Sequence, residues 1–105
     1  MKPPRTPDYV LFLRELRDAR SQSGMTQVQL AQALGQLQTY VSKCELGDRR
    51  LDIIELRRWI VALGGDPVAF AAGLEDRLAR NARLSNSPDV TLSRSRRTGP
   101  ERNPK

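Results

Sequence analysis

Apolar residues recur at three- and four-residue steps along most of the chain, the spacing of helix faces that share a core. The segment KPPRTP is too rich in proline to be helical, and Asp8 then serves as the cap of a first helix expected from Tyr9 to about Gln22. Its inward stripe is Leu13, Leu16 and Arg20 with Ala19, and Phe12 extends it. Val28, Leu30, Ala31 and Leu34 mark a second helix, with Thr26 as N-cap, Gln29 completing a capping box and Gly35 ending it. Val41 and Cys44 lie three apart and give a third helix its apolar side. Asp52 caps a fourth, in which Ile53, Leu56, Ile60 and Leu63 recur before Gly64-Gly65. Asp66-Pro67, a cap followed by proline at the first helical position, opens a fifth that should reach about Arg80, with Phe70, Ala71, Leu74 and Leu78 as its stripe. The far half of that stripe is expected either to complete the core or to meet a second copy of the chain. An all-α fold follows.

The second and third helices are too short to persist alone, since isolated helices below about 12 to 15 residues are marginal in water. Leu30, Ala31, Leu34, Val41 and Cys44 must therefore pack inward, which leaves Gln38, Thr39, Ser42 and Lys43 outward on the third helix. That face bears amides, hydroxyls and one ammonium, and no carboxylate occurs before Glu45. Base edges and phosphates are the partners such a face suits, because both require hydrogen-bonding groups without negative charge. A simply solvated helix face fits the pattern as well, and spacing alone does not separate the two.

The run TQVQLAQALGQLQTYVSKCELGDRRL resembles the Cro/C1-type helix-turn-helix domains of phage repressors and the xenobiotic-response-element (XRE) class of bacterial regulators. The matching elements are Thr-Gln opening the second helix, Leu-Ala within it, Leu-Gly ending it, and Val-Ser-Lys followed by Glu-x-Gly. The likeness spans roughly Leu13 to Leu78 and implies a compact five-helix, lambda-repressor-like DNA-binding domain. By that resemblance Gln38, Thr39, Ser42 and Lys43 meet base edges in the major groove of double-stranded DNA. Gln27, at the start of the second helix, approaches a phosphate, with Gln36 and Tyr40 beside it as further backbone contacts. Arg20 and Glu45 correspond to an ion pair that bridges the first and third helices. Three positions depart from the family pattern. Leu37 replaces a capping residue, a place Gln36 fills imperfectly; Cys44 replaces a larger apolar residue and leaves room for Trp59 or Tyr40; and Leu46 is unusually apolar for a surface turn.

The chain has 105 residues, and its 38% hydrophobic content is enough for one helical core of roughly 65 to 70 residues. One cysteine and no histidine rule out an intramolecular disulfide and a Cys/His zinc site, and leave Cys44 without a base to activate it. No enzyme activity, metal or cofactor is expected. No stretch approaches the roughly 18 to 20 apolar residues of a membrane span, and the first ten residues lack an export core, so a cytoplasmic protein is expected. The net charge of +6 is unevenly spread: residues 1–81 hold 12 basic and 10 acidic side chains, residues 82–105 hold 6 and 2. DNA affinity must therefore come from a local patch, for which Lys43, Arg49 and Arg50 are the candidates, the two arginines reaching flanking phosphates.

The organisation expected is a flexible segment over residues 1–8, the DNA-binding domain over 9–81 and a basic, disordered tail over 82–105, whose Arg94, Arg96 and Arg97 either stay solvated or touch nucleic-acid backbone. The function expected is a transcriptional regulator, most simply a repressor, that reads a near-palindromic operator as a homodimer. The rival is an antitoxin or other protein-binding module of the same fold, with a toxin or other protein as partner and autoregulatory DNA binding.

Overall fold

The computed structural model describes residues 6–86, which form five helices: α1 (Pro7–Ser23), α2 (Gln27–Leu34), α3 (Gln38–Leu46), α4 (Ile53–Ala62) and α5 (Pro67–Asn86). The described residues contain no strand. The chain divides into two compact units, the first ending at Leu74 and the second beginning at Glu75, within α5. Of the basic tail expected over residues 82–105, residues 82–86 are instead the end of α5, and residues 87–105, including Arg94, Arg96 and Arg97, lie outside the described residues.

Local chemistry sets each helix start. Thr6, not Asp8, caps α1: its hydroxyl accepts from the Tyr9 amide at 3.0 Å, and Pro7 takes the first helical position, where its missing N–H costs nothing. Asp8 instead sits in the first turn, where a carboxylate favours the positive end of the helix dipole. In α2 both halves of the capping box form, Gln29 N–H to Thr26 Oγ1 at 3.1 Å and Thr26 N–H to Gln29 Oε1 at 2.9 Å. A second capping box, not anticipated from the sequence, joins Asp52 and Glu55 at the start of α4. At α5 the Val68 amide donates to Asp66 Oδ1 at 3.0 Å, as the Asp-Pro signal implies. The helix then continues past Arg80 to Asn86, with an Arg80–Asp76 ion pair one turn apart supporting it.

The turn between α2 and α3 depends on Gly35, whose φ of +69° lies in the left-handed region that residues with a Cβ rarely enter. There the Gln36 amide donates to the Ala31 carbonyl at 2.9 Å, which closes the helix and redirects the chain after one further residue, Leu37.

The core gathers Leu16 from α1, Leu30 and Ala31 from α2, Val41 and Cys44 from α3, and Trp59 and Ile60 from α4, with Phe12 and Phe70 against its edge. Three of the expected stripes each lose a member. Trp59 is fully buried and Ile53 is 74% exposed, so the inward face of α4 is Leu56, Trp59, Ile60 and Leu63, not one that begins at Ile53. The reason is positional: Ile53 is the first residue of the helix and lies beyond the edge of the packed layer. Trp59 shares the buried cluster with Cys44 and Tyr40 packs against it, their ring centroids 6.4 Å apart, so both aromatics lie in the packing around Cys44. Val28 and Ala71 are exposed despite their helical spacing. α2 packs against both α3 and α4, while α1 packs against α3. This presses the buried side of α3 onto α1 and α2, with Trp59 of α4 beside Tyr40, and leaves its other side open.

Candidate nucleic-acid interface

The open side of α3 carries Gln38, Thr39 and Lys43, all exposed, with Ser42 half-buried beside them. Val41 and Cys44 hold the opposite side in the core. Leu37 precedes the helix without offering a side-chain hydrogen bond to its first turn, as its departure from the usual capping residues implied, and Gln36 does not supply one. Gln36, Leu37 and Leu46 are exposed at the two ends of the helix. Burial of the Cys44 thiol pushes its pKa above the ordinary value, which favours the neutral thiol in this core position.

A chain of polar contacts runs from α1 through the core edge to the first residue of α3. Arg20 Nε donates to Glu45 Oε2 at 2.6 Å and its second terminal nitrogen to Glu45 Oε1 at 3.0 Å. Glu45 is 2% exposed, while the Arg20 side chain is 20% exposed. The bond to Glu45 raises the Arg20 pKa further above its already high value, so the guanidinium stays charged. Arg20 also donates to the Met25 carbonyl at 3.1 Å, and Arg17 to the Glu45 carbonyl at 3.0 Å, which ties α1 to the loop before α2 and to the end of α3. The Arg20–Glu45 bridge matches the resemblance-based expectation. The role of Arg17 was not legible, because a surface arginine on a helix carries no sequence mark of its acceptor.

Gln27 extends this network outward. Its Nε2 donates to Glu45 Oε1 at 2.9 Å, and its Oε1 accepts from Gln38 Nε2 at 2.5 Å. The residue expected at a phosphate thus also spans the gap between a buried carboxylate and the foremost side chain of α3. One Gln27 N–H is left over for an outside acceptor.

The loop after α3 places both arginines over aromatic rings. Arg49 lies 4.9 Å from the Tyr40 ring centroid and pairs with Glu55 at 2.8 Å; Arg50 lies 4.1 Å from the Tyr9 ring centroid. Glu55 is held below the usual carboxylate range, first by Arg49 and then by the Asp52 amide. Arg49 is correspondingly held above its ordinary value by Glu55. Desolvation raises the Tyr40 phenol, which stays protonated as a donor. The loop therefore presents two cations, each set over an aromatic ring, and Arg49 is also paired with Glu55.

No described helix is long and apolar enough to cross a membrane. The helix-turn-helix domain family matches the chain over residues 11–72. Among solved structures, an XRE-family like protein from Pseudomonas syringae pv. tomato is similar, with 43% sequence identity and a TM-score of 0.64, over 67% of this chain and 85% of that one. No curated protein matches the chain.

Proposed function

The chain belongs to the XRE-type helix-turn-helix family of DNA-binding regulators, and from that premise we propose that it is a cytoplasmic repressor that reads a near-palindromic operator as a homodimer. The observation that carries this reading is the carboxylate-free face of α3, which begins with Gln38 and continues through Thr39 and Lys43. With α3 in the major groove, Gln38, Thr39, Ser42 and Lys43 reach base edges. Gln27, through its remaining N–H, together with Gln36, Tyr40, Arg49 and Arg50, meets the flanking backbone. Glutamine pairs with adenine, lysine reaches guanine O6 and N7, and the threonine methyl suits thymine.

Pairing of two copies is supported by an apolar groove of about 370 Å³ between the starts of α4 and α5, lined by Ile53, Ile54, Val68 and Ala71 with Arg57 at its margin. Ile53 and Val68 are 74% and 76% exposed. A second copy is the natural occupant, because a dyad-symmetric operator requires one patch to meet itself. A stable interface takes roughly 800 Å² from each partner, which a few aliphatic side chains do not reach. Pairing is therefore expected mainly on the operator, where adjacent half-sites supply a high local concentration. Copurification of an unrelated protein on this face would favour the antitoxin-like reading instead.

The test of base reading is Gln38→Ala. It should weaken binding to specific duplexes by about 1 to 3 kcal/mol and leave random duplex nearly unaffected. Equal losses on both would reduce Gln38 to a backbone contact.

A further inference from the structure

The outward face of α4 differs in composition from that of α3. Ile54, Arg57, Arg58 and Val61 recur at helical spacing and form one exposed stripe along it, with Ile54 56% and Val61 49% exposed. On the α2 side of that stripe, Arg57, Arg58, Val61 and Ala62 join Ala33 and Leu34 around a groove of about 250 Å³. It is separate from the hollow between α4 and α5, and Arg57 borders both. None of the residues proposed above for DNA lines it.

Among the described residues, this groove is positive without a counterion. α2 contains no charged residue, and the single carboxylate of α4, Glu55, is engaged by Arg49 at 2.8 Å and by the Asp52 amide at 2.9 Å. Arg57 and Arg58 make no hydrogen bond or ion pair with any described residue, and Glu55 senses Arg58 only as a neighbouring charge. Two forked donors therefore flank an apolar floor and await acceptors.

Exposed aliphatic side chains beside arginine, with no lysine and no free carboxylate, make the composition of a protein-binding patch. A phosphate backbone would set its oxygens against Leu34, Val61 and two alanines, which offer no donor. A second copy would bring the same two cations to a shared axis, and residues 82–105 of the chain itself, with 6 basic and 2 acidic side chains, would add like charge. We propose that the α2–α4 groove docks an acidic, amphipathic segment of another protein, whose carboxylates pair with Arg57 and Arg58 while an apolar side chain enters beside Leu34 and Val61. The inference goes beyond DNA reading and does not depend on it.

The probe is a displayed library of random peptides of about 12 residues, long enough to present one helical face, panned on the full chain at near-physiological salt. Enriched peptides should share carboxylates set around an apolar residue. In solution, Arg57→Glu combined with Arg58→Glu should weaken them by roughly tenfold or more, and the same peptides with lysine in place of each carboxylate should prefer that variant to the wild type. Both positions are exposed, so the unfolding midpoint followed through Trp59, the affinity for duplex DNA and its salt slope should not change. If the double reversal does not fold, Arg57→Ala with Arg58→Ala decides in its place. Enriched peptides without carboxylates, no enrichment, or equal binding to wild type and variant overturns the inference. A double variant that loses affinity for all duplexes with a shallower salt slope assigns the arginines to nucleic-acid backbone, and loss of self-association assigns them to a second copy; either result also overturns it.

Discussion

Arg20 and Glu45 are 25 positions apart in the chain and joined by two N–H···O bonds of 2.6 and 3.0 Å, so that α1 holds the end of α3 through a buried carboxylate. The pair is asymmetric, with Glu45 2% exposed and the Arg20 side chain 20% exposed. Arg20→Met strands Glu45 and should cost about 3 to 5 kcal/mol, whereas Glu45→Met leaves an arginine able to reach water and should cost less. Urea unfolding followed by the fluorescence of Trp59, the sole tryptophan and wholly buried, measures both. Equal costs would show that Arg20 cannot escape to solvent.

Arg49 tests the backbone contacts. Its guanidinium pairs with Glu55 at 2.8 Å and lies over Tyr40, so on binding DNA it must share itself between a carboxylate and a phosphate. Arg49→Ala should weaken all duplexes alike and reduce the slope of log affinity against log salt by about one unit. A slope that does not change would mean that the guanidinium stays with Glu55 and takes no part in the interface.

Glu55 gives the fold an acid-side dependence. Its folded pKa is depressed by Arg49 and by the Asp52 amide, so its contribution is present above the ordinary carboxylate pKa and lost as pH falls through the lower folded value. Glu55→Gln should narrow the gap in stability between neutral and acidic pH, by no more than about 1 kcal/mol because the pair is partly solvated. Parallel acid-unfolding profiles for the two proteins would contradict this.

The α4–α5 groove tests pairing. Ile53→Glu combined with Val68→Glu places charge on two exposed side chains and should leave half-site affinity unchanged while removing cooperative binding to a full site. Retained cooperativity would move the contact between copies to another face.

Helix count, order and most boundaries were legible because the start and stop signals are local: Thr26 with Gln29, Gly35, and Asp66-Pro67 all act within a few residues of themselves. The misassignments were tertiary. Spacing places Ile53 and Val28 on inward stripes, yet whether such a position meets the core depends on where the neighbouring helices end. Asp8 and Thr6 are both competent caps, and proline at position 7 decides for Thr6. At the interface, the residues of the α3 face could be named from the sequence, and Arg20–Glu45 from family resemblance. The link from Glu45 through Gln27 to Gln38 could not, since nothing in three glutamine and glutamate letters states which atoms face one another.

The most direct test of the central claim, that the open face of α3 reads duplex sequence, is selection of bound fragments from random double-stranded DNA at near-physiological salt with the full chain. The expected result is a recurring near-palindrome with half-site centres about 10 base pairs apart, which Gln38→Ala relaxes at one position in each half. A bound pool as random as the starting one, or a motif that Gln38→Ala leaves untouched, would contradict it.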